Sequence, residues 1–303
     1  MVKKHPVTRF LERTNPVAFS SYAIVAAFLA YFSMYAFRKP YSVALYKGQV
    51  TFLGMVVQYK ILLLVLQVFG YMLSKFSGIK VISEMPKRYR MIALFVSISV
   101  AELALLLFAL IPKPYNVWCL FLNGIPLGMV WGLVFSFLEG RKLSELLGAG
   151  LSASYIVASG VVKSVGETLM EQYQVSEFWM PFAVGALFFP LFVLCVYGLS
   201  LLPEPTAEDE ALRMRRKPMQ SAERWSFFLR FWPGLVALIG LYMLLTAYRD
   251  FRDNFSKEIW VALGVKSTLV FTQTEMFVAF GVLVALALIF LVKDNQNTTC
   301  NHE

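Results

Sequence analysis

Histidine is almost absent from this chain: the two present, His5 and His302, stand at its extreme ends. Any site inside it therefore lacks the commonest general base and the commonest metal ligand. Cysteine is scarce too, and Cys119, Cys195 and Cys300 show neither disulfide nor metal spacing. Charge is thin, with 16% of residues charged against 58% hydrophobic. An ordinary soluble domain carries about 25% charged residues, so a bilayer is the natural solvent for this chain. No set of nucleophile, base or metal ligands emerges, so an enzyme is not expected, and no cofactor is implied. A small-residue cleavage pattern after the basic N-terminus is also missing, which makes the first apolar stretch a span and not a cleavable signal.

What is present is apolar length. Eight stretches approach the roughly 20 residues needed to cross a bilayer: near 17 to 38, 52 to 74, 91 to 111, 117 to 138, 148 to 170, 179 to 201, 231 to 248 and 270 to 292. Barrel strands would be shorter and alternating. The expected fold is an all-α membrane protein, a helical bundle of about eight transmembrane helices. Asn15 followed by Pro16 marks the start of the first, because a proline at the first helical position gives up an N–H that would be unsatisfied anyway.

The net charge of +9 points to topology and not to nucleic acid. Basic residues crowd the N-terminus (Lys3, Lys4, Arg9, Arg13) and the segment after the second stretch (Lys75, Lys80, Lys87, Arg88, Arg90). They recur after the fourth (Arg141, Lys142) and after the sixth (Arg213, Arg215, Arg216, Lys217, Arg224, Arg230), with Lys293 near the end. In an eight-span chain all of these lie on one side, which predicts cytoplasmic N- and C-termini and a lipid bilayer as the principal partner. Which membrane is occupied is left open.

The clearest break follows the sixth stretch. Residues 1–201 are expected to form a six-helix repeat and 202–230, acidic and then basic, a cytoplasmic linker. Residues 231–293 are then the first two helices of a second repeat, cut short, and 294–303 a polar tail. Two parallel six-helix repeats would make the first and seventh stretches resemble each other. They do: Tyr31-Phe-Ser-Met-Tyr35-Ala36-Phe37-Arg38 and Tyr242-Met-Leu-Leu-Thr-Ala247-Tyr248-Arg249 both fit Y-x-x-x-x-A-[FY]-R. Asn297-Thr298-Thr299 matches a glycosylation sequon, but its predicted cytoplasmic side excludes that use.

An ionisable group in hydrocarbon costs roughly 2.5 to 3.5 kcal/mol, so each one needs a partner or a task. Apolar sequence continues past Arg38 and Lys39, which places them inside a long first span kinked at Pro40 or at an ordinary interfacial end. Arg249 opens a run of mixed charge through Asp253, and for Arg252 and Asp253 a solvated helix end and a functional role both stand open. Lys60 and Gln67, seven apart, share a helix face. Lys163 is expected to pair with Glu167 one turn later, and Tyr155 is a further candidate in that span. Glu102, alone in its span, is expected to be neutral and hydrogen-bonded to a neighbouring helix. The small residues Gly124, Gly128 and Gly132, and those from Gly148 to Ser154, are expected to let helices approach closely.

These residues resemble the major facilitator superfamily, in particular its organophosphate:phosphate antiporters and sugar-phosphate exchangers. In that group the first span carries two tyrosines followed by Arg-Lys, matching Tyr31, Tyr35, Arg38 and Lys39, and the seventh carries an arginine after an aromatic stretch, matching Arg249. The segment Gly70-Tyr-Met-Leu-Ser74-Lys75-Phe-Ser-Gly78-Ile-Lys80 looks like a degraded G-x-x-x-D-R-x-G-R loop, with Ser74 in place of the aspartate. The resemblance implies an MFS-like bundle and a secondary transporter of a small organic anion, with a phosphorylated one expected. Arg38 and Arg249 would hold the anion, Tyr31, Tyr35 and Tyr242 would line the site, and Lys39, Lys60 and Lys163 would add charge. Twelve spans are the rule there, so a partner supplying further helices is expected. An uncharacterised facilitator family sharing the arginine pair, a non-transporting sensor of a phosphorylated ligand and an inactive fragment are the alternatives.

Overall fold

The computed structural model describes residues 5–139, 144–204, 221–265 and 267–290. Lys3, Lys4, Arg141, Lys142, most of the expected linker, the tail with its sequon and the side chain of Tyr155 lie outside that description.

Helices coincide with all eight apolar stretches. They are α1 (Pro6–Arg13), α2 (Pro16–Met34), α3 (Tyr59–Glu84), α4 (Lys87–Leu110), α5 (Val117–Phe135), α6 (Ser144–Glu171), α7 (Met180–Ser200), α8 (Ser221–Asn254), α9 (Ser256–Ala262) and α10 (Val270–Phe290). Among the described residues, six helices are long and apolar enough to cross a membrane, within α2, α3, α4, α5, α7 and α8. The chain is therefore a predominantly helical membrane protein. Helix α6 is diluted by serines, glycines and Lys163, which is tolerable in a helix packed among others; α10 has a shorter apolar core, Val270–Ala285. Asn15 caps α2 as its sequence predicts: the side-chain oxygen accepts from the Ala18 N–H at 2.7 Å, with Pro16 at the first helical position.

The second span begins later than its hydropathy predicts. Residues 49–58 form an antiparallel hairpin, Gln49–Phe52 (β1) with Met55–Gln58 (β2), and the helix starts only at Tyr59. Val50, Val56 and Val57 suit a strand, and Leu53 and Gly54 both take positive φ, the turn geometry that matches strand twist. An apolar run hides that boundary, because strand and helix draw on the same residues. The basic segment after this span is no loop either. Helix α3 runs through Lys75 and Lys80 to Glu84, and Pro86 separates it from α4. Likewise α8 starts at Ser221, inside the stretch expected to be linker.

In the core, α2 packs on α6 and α7, α3 on α5, α5 on α4, and α4 on α7, while α10 lies along α6. Small residues set the closest crossing, as expected. A Cβ on Gly128 would stand 2.7 Å from both the Ser74 Cβ and the Tyr71 carbonyl oxygen, and one on Gly132 would stand 2.7 Å from the Ile82 side chain. Gly128→Val must therefore push α3 and α5 apart. It is expected to cost on the order of 1–3 kcal/mol or more, read as a lower melting temperature of the detergent-purified chain, whereas substitution at Gly234, which has nothing nearby, should be mild.

Glu102 departs from expectation. Both its carboxyl oxygens are buried and neither has a hydrogen-bond partner among the described residues. The neighbour on α7 is Gly185, which leaves room for the carboxyl but has no side chain to donate to it.

Candidate functional site

The site begins where α2 fails to continue. The α-helix ends at Met34, a 3₁₀ turn covers Tyr35–Phe37, and another covers Pro40–Val43. Pro40 lacks an N–H and disfavours helical geometry before it, so the chain neither kinks gently nor ends at an interface; it breaks inside the bundle. A break in a span frees carbonyls that have no water to bind. Here Gln67 Nε2 donates to the Arg38 carbonyl at 3.0 Å and to Asn123 Oδ1 at 2.8 Å. Asn123 Nδ2 in turn donates to the carbonyls of Phe37 at 3.1 Å and Ala101 at 3.0 Å, and the Tyr41 hydroxyl donates to Gln67 Oε1 at 2.9 Å. Two side-chain amides thus hold the Arg38–Lys39 segment in place.

From this segment Arg38 and Lys39 reach a cavity of about 470 Å³ between α2, α6, α8 and α10. Arg38, Lys39, Arg249 and Arg252 line it with the acids Asp250, Asp253 and Glu275, beside Tyr35, Ser159 and Tyr248. Three of the four cations are neutralised. Lys39 Nζ stands 2.5 Å from Asp253 Oδ2, Arg252 Nη2 stands 2.8 Å from Glu275 Oε1, and Arg249 Nη2 stands 3.0 Å from Asp250 Oδ1. Arg38 has no carboxylate within ion-pair distance among the described residues. Its guanidinium carbon lies 4.0 Å over the Tyr71 ring and 5.9 Å from the Tyr35 ring. Aromatic faces hold the plane of the guanidinium without neutralising its charge.

Asp253 is the hub of the opposite wall. Besides Lys39 it pairs with Lys163 of α6 at 2.5 Å, and it accepts from Ser159 Oγ at 2.7 Å. Lys163 also donates to the Asp253 backbone carbonyl and reaches Ser256 Oγ at 3.3 Å. Its expected partner Glu167 instead pairs with Lys257 of α9, while Lys163 is taken by Asp253. Lys60, in the first turn of α3, pairs with Glu258 of α9 at 2.5 Å and does not line the Arg38 cavity. Ion pairs therefore tie the end of α8 and the start of α9 to the preceding helices.

Of the residues expected at the site, Arg38, Lys39, Tyr35 and Arg249 share the cavity, and Lys163 borders it through Asp253. Tyr31 is buried behind, its ring 5.7 Å from that of Tyr35. Tyr242 faces outward from α8 at 69% exposure and does not line this cavity. The two matched motifs thus differ in their backbone: α2 breaks before Arg38, whereas α8 runs unbroken past Arg249. That leaves Tyr242 and Arg249 on a continuous exposed helix.

Residues 40–302 match the model of a family of unknown function (DUF5690). The chain belongs to that family. No curated protein and no solved structure matches it. Within this DUF5690 chain, Asn123, Tyr71 and Ser159 carry roles that the sequence reading did not assign. Asn123 could have been found as the one amide in a span of small and apolar residues; Tyr71 and Ser159 gave no signal, since a tyrosine or serine in a span is ordinary packing material.

Proposed function

We propose that this protein binds a small organic anion, phosphorylated in its preferred form, in the cavity shared by Arg38 and Arg249, and exchanges it across the membrane by alternating access. The observation that carries this reading is Arg38: a partly buried guanidinium, oriented by two rings, that lines the cavity and pairs with no carboxylate among the described residues. A charge so placed is costly in a membrane unless an anion completes it. The planar fork suits the paired oxygens of a phosphate or carboxylate. Arg249, bound only by its neighbour Asp250 and 56% exposed as a side chain, can turn to the same ligand. In this reading the bundle is facilitator-like, with α2 to α7 as one six-helix unit, α8 and α10 opening a second, and both termini cytoplasmic.

A binder that senses the anion without carrying it would use the same cavity. The ion pairs from Lys39, Lys60 and Lys163 to Asp253 and Glu258, which fasten α8 and α9 to the earlier helices, favour that second reading.

The deciding experiment uses the full chain in two formats. In detergent, phosphate, glycerol phosphate and sugar phosphates are expected to raise the melting temperature, and uncharged sugars to leave it unchanged, because a ligand of the folded state alone stabilises it. In vesicles preloaded with phosphate, labelled phosphate is expected to accumulate by exchange. Binding without flux selects the sensor; no response to any anion removes both readings.

A further inference from the structure

The β1–β2 hairpin between the broken span and α3 carries no charge. Residues 49–58 read Gln-Val-Thr-Phe-Leu-Gly-Met-Val-Val-Gln. A two-stranded hairpin is marginal in water, and exposed strand edges are usually protected by charge or proline. This one has neither. Its base is nonetheless fixed: the Tyr59 N–H donates to the Gly48 carbonyl at 3.1 Å, and the Tyr46 ring packs on those of Tyr59 and Phe178 at 6.1 and 5.5 Å.

Alternation divides the hairpin into two faces. Val50 pairs with Val57 and Phe52 with Met55, which puts these four on one face and Gln49, Thr51, Val56 and Gln58 on the other. Val50, Phe52 and Val57 pack against the core, but Met55 is 62% exposed and Leu53, at the turn, 83% exposed. The apolar face thus extends past the protein it covers. Phe52 shows where it leads. Its ring lies 5.8 Å from that of Trp118, Trp118 lies 6.0 Å from Phe121, and Phe121 lies 6.0 Å from Phe69. Trp118 and Phe69 are exposed on the spans α5 and α3, so this row of rings follows a lipid-facing flank. Helix α5 has 19 residues, about 28 Å at 1.5 Å per residue, close to one hydrocarbon thickness. Trp118, in its first turn, therefore stands at the membrane boundary, where tryptophan is enriched. The hairpin is level with it.

We propose that the β1–β2 hairpin is an interfacial membrane anchor, lying among the lipid headgroups with Leu53 and Met55 reaching toward the acyl chains and Thr51 turned to water. Open strand edges have no place in hydrocarbon, so the backbone stays at headgroup level and only side chains descend. Lipid is the occupant by continuity: the face that begins on the core runs over Trp118 onto a flank already in the bilayer. The anchor is independent of what the Arg38 cavity binds.

The test is spin-label accessibility of the full chain in phosphatidylcholine vesicles. Cys119 and Cys195 are buried, so Met55→Cys, Leu53→Cys and Thr51→Cys are each made and labelled in a Cys300→Ser background, with the labelled Cys300→Ser parent as the blank. Collisions with oxygen, which concentrates in lipid, are expected to exceed those with a water-soluble nickel chelate at Met55→Cys and Leu53→Cys. At Thr51→Cys the order should reverse, and the oxygen-to-nickel ratio should differ several-fold between the two faces. These side chains are exposed, so the variants should melt with the parent; Leu53→Cys replaces Met55→Cys should the latter not fold. Nickel access at Met55→Cys and Leu53→Cys would put the tip in water, and exclusion of both reagents with spin–spin broadening would put a second copy over it. Either result, or a ratio that does not alternate between the faces, would overturn the proposal.

Discussion

Arg38→Gln is expected to abolish the stabilisation of this protein by phosphate and phosphate esters. A hydrogen bond to a charged group contributes roughly 1.5–3 kcal/mol, so loss of the guanidinium should weaken binding by about tenfold to a hundredfold in an isothermal titration with inorganic phosphate. Arg38→Lys keeps the charge and loses the fork, and an ammonium cannot lie between Tyr35 and Tyr71 as a plane does. It should recover only part of the affinity. Arg249→Gln should cost less, a few fold, because Asp250 already competes for that guanidinium and water screens it. Unchanged affinity in Arg38→Gln would place the anion elsewhere, on a site that the cavity geometry does not identify.

Asp253→Asn should have the largest effect on stability. One carboxylate neutralises two lysines, with side chains 8% and 3% exposed, and an amide cannot neutralise either. Breaking a buried ion pair from one side costs about 3–5 kcal/mol, because the remaining charge is left unpaired out of water. The melting temperature should fall steeply, and the connection after α8 should become open to protease. Replacing the whole triad, Asp253→Asn with Lys39→Met and Lys163→Met, should restore most of the loss, since apolar groups of similar volume often substitute for a buried ion pair at little net cost. A normal melt for Asp253→Asn alone would show that the lysines find other partners. The prediction does not depend on what the cavity binds, so it separates the integrity of the site from its ligand.

Sequence reasoning named Arg38, Lys39, Tyr35 and Arg249, and these do share a cavity, because a cation in an apolar run is conspicuous whatever surrounds it. It misassigned partners for the same reason that it found the charges. Proximity along a helix suggested Lys163 with Glu167, but in a bundle the next helix is as close as the next turn, and Asp253, 90 residues on, takes the lysine. Tyr242 was expected to mirror Tyr31, yet a four-residue match does not fix backbone geometry. Glu102 was expected to be hydrogen-bonded, and its neighbour across the helix contact proved to be a glycine.

What the sequence determined by itself is the eight apolar stretches, their helical character and their solvent. Apolar length and scarce charge leave the backbone no choice but to satisfy its hydrogen bonds within each segment, and these quantities are local and additive along the chain. What only the tertiary structure decided is which charges cancel. Ion pairing depends on a few ångströms between residues far apart in sequence, and the fold places Asp253 on Lys39 and Lys163 while leaving Arg38 without a carboxylate among the described residues. That one residual charge, and not the number of arginines, makes the cavity a candidate anion site.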